Sequence, residues 1–285
     1  MDKICTYLFF LQDRRSPPHT PHLRSSYTKV CSAGISYLCM PFSIFATQLR
    51  KTGSTFAADF KQFKIMSDKI KSSYKFSKSF YDDAITQGKW WSRLYFKLLW
   101  GGVDDNEIAR RVLSWIPDDF NGKMLDVPVG TAVFTAEKYS RMKQADITCV
   151  DYSQDILEQA EYRFREVGID NIKTMQGDVS ALPFDEGTFD VVLCMNGLHV
   201  FPDKPKAYSE ILRTLKPGGE LLACFYIAGE QKVADWLAKT VMTRMGWFTP
   251  PFDTANDVRH RLESYYDILD FHVEGAMVYF RAKKK

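Results

Sequence analysis

Two apolar periods alternate along residues 121–282. Short, mainly apolar runs at 124–127, 147–150 and 189–195 read as strands buried on both faces. Between them, apolar residues recur every three or four positions. Ile156, Leu157, Ala160, Phe164 and Val167 make one stripe, with Ser153 placed to cap its start and Gly168 to end it. Tyr208, Ile211, Leu212 and Leu215 make another, stopped by Pro217-Gly218-Gly219. A helix over 104–115 carries Ile108, Val112 and Trp115 at helical spacing, with Asp104 or Asp105 as its cap. Further strands are expected at 172–177 and 220–227, and further helices from Ala132 onward, over 232–245, and near 257–262. Two closing segments, 266–273 and 276–282, are joined by Glu274-Gly275, a link short enough to form only an antiparallel hairpin. Strand and helix signals in this alternation predict a mostly parallel seven-stranded sheet, with an antiparallel last strand and helices on both faces.

Upstream the pattern changes, and three segments are expected: a poorly structured extension over 1–65, a helical cap over 66–120, and the α/β domain over 121–285. The extension mixes a short apolar run, a Pro/His/Ser/Arg stretch and a charge-free run over 30–49 whose serines, threonine, glutamine and proline argue against a membrane span. It is basic and serine-rich, so a mitochondrial transit peptide is the alternative to a start at Met66. From 67 to 100 the chain is rich in aromatic rings, read mainly as packing for the cap, with a lid over a ligand as the functional alternative.

Composition narrows the function classes. With 285 residues, 45% of them hydrophobic, the chain holds one sizeable domain plus extras. A net charge of +3, its basic excess lying mostly at the two ends, gives no case for nucleic acid. The six cysteines show no metal spacing, and Cys149, Cys194 and Cys224 fall in buried strands as reduced thiols. No metal is expected, membrane contact is not, a cytoplasmic setting is, and oligomeric state is left open.

Chemistry concentrates at strand ends. Asp126 and Val127 close the first apolar run, and Val129-Gly130-Thr131 turns the chain toward a helix, bringing backbone N–H groups to the carboxyl edge of the sheet. Asp151 closes the second run, where a nucleotide-binding fold places the carboxylate that accepts from two ribose hydroxyls. Asp178 closes the third, and Asn196 to His199 follow the fourth.

Four blocks in order, LDVPVGTA, CVDYS, GDVSALPFDEGTFDVVLCMNGLH and LKPGGELLA, resemble the class I S-adenosylmethionine-dependent methyltransferases, most closely those of ubiquinone/menaquinone-biosynthesis type. The family's L-D-x-G-x-G-x-G has Pro128 at its first glycine and Ala132 at its third in this chain, and proline removes an N–H donor. The resemblance implies a Rossmann-like fold and S-adenosylmethionine as cofactor. It further implies that Asp126 and Gly130 approach the methionine portion, Asp151 and Tyr152 the ribose, and Asp178 with the Val179 backbone the adenine. Asn196 is expected at the edge of the site. Phe80, Tyr81 and Trp91 are expected to line an acceptor pocket.

The implied reaction moves a methyl group to a small acceptor with an apolar or aromatic body. His199 is the best-placed base should the acceptor need to lose a proton, and a capping role is its competing reading. Two other classes remain open: a non-enzymatic binder whose cofactor site Pro128 has weakened, and an NAD-dependent oxidoreductase, against which the single Gly130 speaks.

Overall fold

The computed structural model describes residues 100–285 apart from Asp170 and Asn171. The extension over 1–65 and residues 66–99 of the cap expected over 66–120, and with them Phe80, Tyr81 and Trp91, lie outside the described residues.

Seven strands form one sheet: β1 (Lys123–Asp126), β2 (Asp146–Asp151), β3 (Lys173–Gln176), β4 (Phe189–Met195), β5 (Leu215–Tyr226), β6 (Tyr266–Glu274) and β7 (Met277–Lys284). Their spatial order is β3-β2-β1-β4-β5-β7-β6. The first five pair in parallel, and β7 lies between β5 and β6, antiparallel to both. The closing hairpin therefore supplies the antiparallel strand expected from the Glu274-Gly275 link. From β1 the chain proceeds outward to β2 and β3, then returns to the other side of β1 as β4. That reversal opens a crevice beyond the carboxyl ends of β1 and β4, the place where open α/β sheets bind ligands.

Among the described residues seven α-helices accompany the sheet: α1 (Asp105–Ser114), α2 (Ala136–Arg141), α3 (Gln154–Glu166), α4 (Lys204–Thr214), α5 (Lys232–Leu237), α6 (Thr243–Met245) and α7 (Ala255–Glu263). Side chains alternate across the strands and fill two cores. On one face Met124, Cys149, Leu193 and Leu222 meet α1 through Ile108 and Val112, and α3 through Leu157, Ala160 and Phe164. On the other, Leu125, Val150, Val192 and Leu221 meet α4 through Ala207 and Ile211, and α7 through Val258 and Leu262. α1 thus belongs to the same core as β1. Asp104 caps it, accepting the N–H of Asn106, and Ser153 caps α3, accepting from Ile156. Cys149, Cys194 and Cys224 are buried free thiols. Among the described residues no helix is long and apolar enough to cross a membrane.

Three boundaries differ from the sequence expectation. α2 begins at Ala136 and not at Ala132, because Ala132 has φ +56°, a left-handed conformation that a right-handed helix cannot contain. The first helical bond there is Ala136 N–H to the Ala132 carbonyl, 3.0 Å. α4 stops at Thr214, because Leu215 is already extended and in register with Phe189 of β4, so β5 takes in Pro217-Gly218-Gly219. The helix expected over 232–245 is broken by a π-helical stretch, Ala238–Met242, between α5 and α6.

Candidate functional site

The carboxyl ends of β1, β2 and β4 converge on the turn at Gly130. Gly130 has φ +59°, which favours glycine, and a Cβ built on it would meet nothing within 4 Å among the described residues, which leave the space beside the turn open. The turn is fastened from three sides. Its own N–H donates to Asp151 Oδ2 at 3.0 Å, the N–H of Val129 donates to the Val150 carbonyl at 3.0 Å, and Arg163 Nε of α3 donates to the Thr131 carbonyl at 3.0 Å. The glycine expected from the sequence thus lies directly beside the acid expected from the sequence.

Asp151 is buried, with 4% exposure, and its other oxygen accepts the N–H of Ser153 at 2.9 Å. Burial pushes its carboxyl up to about 6, while the N–H groups of Ser153, Gly130 and Tyr152 act in the opposite direction. Each carboxylate oxygen has a second lone-pair direction, so two backbone bonds leave capacity for ligand hydroxyls.

Asp126 lies deeper, with 1% exposure, and accepts from Tyr139 Oη at 2.7 Å. Burial pushes this carboxyl up to about 8; Tyr139 lowers it in part and Asp151 raises it further. An arriving cation would stabilise the charged form of this carboxyl further. Neither Tyr139 nor Arg163 stood out in the sequence. Their partners lie 13 and 32 residues away, and no short motif encodes such pairs.

Asn196 follows β4 with φ +54°, and its buried Oδ1 has no hydrogen-bond partner among the described residues. Tyr152, just after the end of β2, is exposed, and its carbonyl accepts from Gln176. Asp178 is also exposed. It caps a short 3-10 turn (Val179–Ala181) by accepting from the N–H and hydroxyl of Ser180. Asp126, Gly130, Asp151 and Asn196 are thus gathered at one edge, and Tyr152, Asp178 and Val179 follow the ends of β2 and β3.

His199 is placed differently from a solvent-facing base. It is buried, and its Nδ1 accepts the N–H of Tyr226 at the end of β5, 3.3 Å away. Phe248 lies 4.1 Å from its ring centre, and Trp100 and Tyr226 at 6.0 and 6.3 Å meet it edge-on. Burial, then the nearby Lys204 ammonium, pushes the imidazole down to about 3. The side chain is neutral and holds the ends of β4 and β5 together.

An open cradle at a glycine turn, a buried carboxylate with spare acceptor capacity, a second buried carboxyl and an unbonded amide oxygen suit a nucleoside-like ligand carrying positive charge. Residues 124–219 match a family model described as a methyltransferase domain. Over 130 residues the chain is 33% identical to the ubiquinone/menaquinone biosynthesis C-methyltransferase UbiE of Idiomarina loihiensis, covering 44% of this chain and 52% of that one. It is 36% identical over 100 residues to the demethylmenaquinone methyltransferase of Lactococcus lactis, covering 35% and 40% of the two chains. The chain therefore spans about half the length of these curated relatives or less. The solved structure of the [4+2]-cyclase SpnF superposes with a TM-score of 0.53 at 20% identity, covering 63% of this chain and 80% of that one, a likeness of fold. Over residues 124–219 the chain thus matches a methyltransferase domain, and over that part it is similar to methyltransferases named for ubiquinone/menaquinone biosynthesis.

Proposed function

We propose that this protein transfers the methyl group of S-adenosylmethionine to a small acceptor with an apolar or aromatic body. The observation that carries the reading is the carboxylate of Asp151, bonded to the N–H of Gly130 beside open space at the edge where β1 and β2 end. A ribose seated there donates its hydroxyls to Asp151, next to the backbone of Tyr152. Asp126 and Gly130 face the methionine portion, Asp178 and the Val179 backbone the adenine, and Asn196 the edge nearest the acceptor. The relatives are named for methylation in ubiquinone and menaquinone biosynthesis, which favours an aromatic, quinone-like ring as the acceptor.

When bound, the cofactor supplies an electrophilic methyl group on a sulfonium that is its own leaving group. The chain's task is then mainly positioning. Holding an acceptor atom about 3 to 3.5 Å from that methyl, in line, contributes roughly 7 to 11 kcal/mol to lowering the barrier. His199 serves this by fixing the loop after β4 against β5, since an imidazole pushed to about 3 with Nδ1 already bonded is a poor base near neutral pH.

Incubation with methyl-labelled S-adenosylmethionine and a fractionated metabolite extract tests the reading. Label is expected in an apolar or aromatic molecule. Cofactor binding with no labelled product in any fraction would favour the non-enzymatic binder, and binding of NAD in place of S-adenosylmethionine would favour the oxidoreductase.

A further inference from the structure

Beyond the end of β5, a groove of about 270 Å³ is lined among the described residues by Ala228, Lys239, Thr243, Pro250, Pro251 and Phe252. One wall is the helix that carries the π-helical stretch. In the widened turn the Ala238 carbonyl accepts the backbone N–H of Thr243, and Thr243 Oγ1 donates to the same carbonyl at 2.8 Å. Such widened turns often mark ligand sites, and here both Lys239 and Thr243 come from it or from its edge.

The other side of the groove is apolar. Phe252 meets Tyr226 edge-on at 5.5 Å, and Tyr226 in turn meets His199. A continuous run of rings thus leads from the groove to the loop after β4, where Asn196 sits.

The groove's charge is one-sided. Lys239 is exposed, and no described acid pairs with it. The two acids nearby are engaged elsewhere: Asp253 with Arg261 at 3.2 Å, and Asp235 with the Tyr226 hydroxyl at 2.7 Å and the Gly229 N–H at 3.0 Å. A second ammonium, Lys204, lies 5.9 Å from the centre of the Phe252 ring and is held by the carbonyls of Thr249 and Phe201.

We propose that this groove is a binding site for a flat apolar or aromatic molecule bearing a negative charge, with Lys239 as the group that binds the anion. If the methyl-transfer reading holds, the molecule is the acceptor, and its anionic group lies at the end remote from the methylated atom. The binding itself does not depend on that reading.

Two fluorescent probes separate the contributions: 8-anilinonaphthalene-1-sulfonate, aromatic and anionic, and N-phenyl-1-naphthylamine, its uncharged relative. Lys239→Gln is expected to weaken the sulfonate by about tenfold, the scale of one lost charge-assisted contact, and to leave the neutral probe within about twofold. Thr243→Phe, which fills the groove, should weaken both, and circular dichroism on each variant confirms the fold. Calorimetry should give the same S-adenosylmethionine affinity for Lys239→Gln as for the parent. Unchanged sulfonate binding in Lys239→Gln, or unchanged binding of both probes in Thr243→Phe, would overturn the proposal. Failure of the parent to bind S-adenosylmethionine, with the probe pattern intact, would overturn the methyl-transfer reading and leave the groove's assignment standing.

Discussion

The Cδ of Pro128 lies 2.4 Å from the point where a Cβ on Gly197 would stand. The turn after β1 and the loop after β4 therefore pack together through a glycine, with Phe201 Cζ and Cys194 Sγ at 2.7 and 2.9 Å closing the other sides of the same point. The proline that departs from the family's glycine pattern fills a space that Gly197 leaves open. Gly197→Ala should destabilise the protein by about 1 to 3 kcal/mol through overpacking. In a Pro128→Gly background part of that cost should disappear, because one of the three close neighbours has gone. Urea unfolding of both single variants and the double variant measures the coupling. Strictly additive costs would mean that the two residues do not share this space.

Asp126 and Tyr139 make a pH-dependent pair. The carboxyl is pushed up to about 8 by burial, far above its unfolded value, so its contribution to stability is fully present below about pH 4 and is lost as pH rises through about 8. Asp126→Asn keeps an oxygen for the Tyr139 hydroxyl and removes the charge. It should therefore flatten the fall in unfolding free energy between about pH 5 and pH 8, with a gain over the parent that is larger at the higher pH. The slope due to His199 is common to both proteins and cancels in the difference. An equal offset at both pH values would contradict this.

His199 has the opposite sign. Its imidazole is pushed down to about 3 by burial, so stability present above the unfolded value near 6.5 is lost as pH falls from there. His199→Phe keeps a ring in the aromatic packing and removes the acceptor of the Tyr226 N–H. At neutral pH it should cost about 1 to 3 kcal/mol for that unpaired buried donor. Its stability should also decline less than the parent's between about pH 7 and pH 5. Equal declines, measured by urea unfolding at the two pH values, would show that the ring is protonated in the folded protein.

Strand number, the antiparallel end and the helix faces were legible in the sequence because burial imposes period: the run at 189–195 is strongly apolar apart from Asp190, and β4 is the strand at the sheet's centre. The strand-end positions of Asp126, Asp151 and Asn196 followed from the same pattern. What the sequence did not show depends on distant pairs or on backbone geometry. The left-handed Ala132 moved a helix start by one turn, the π-helical stretch is encoded by no residue type, and Tyr139 reaches Asp126 only after the chain has folded. The strand-end position of His199 left a base and a capping role both open in the sequence; its enclosure by Trp100, Phe248 and Tyr226 comes from three separate parts of the chain.

The cofactor assignment rests most heavily on Asp151, and calorimetry of S-adenosylmethionine binding to the parent and to Asp151→Ala tests it directly. Loss of a charged acceptor for two hydroxyls should weaken binding by about ten- to a hundredfold, at roughly 1.4 kcal/mol per tenfold. In this variant the N–H groups of Gly130 and Ser153 both lose their acceptor, so a modest fall in melting temperature should accompany the weaker binding. Asp155→Ala, an exposed acid in the first turn of α3, serves as the comparison and should change affinity little. A dissociation constant for Asp151→Ala equal to the parent's, with the variant folded, would contradict the account.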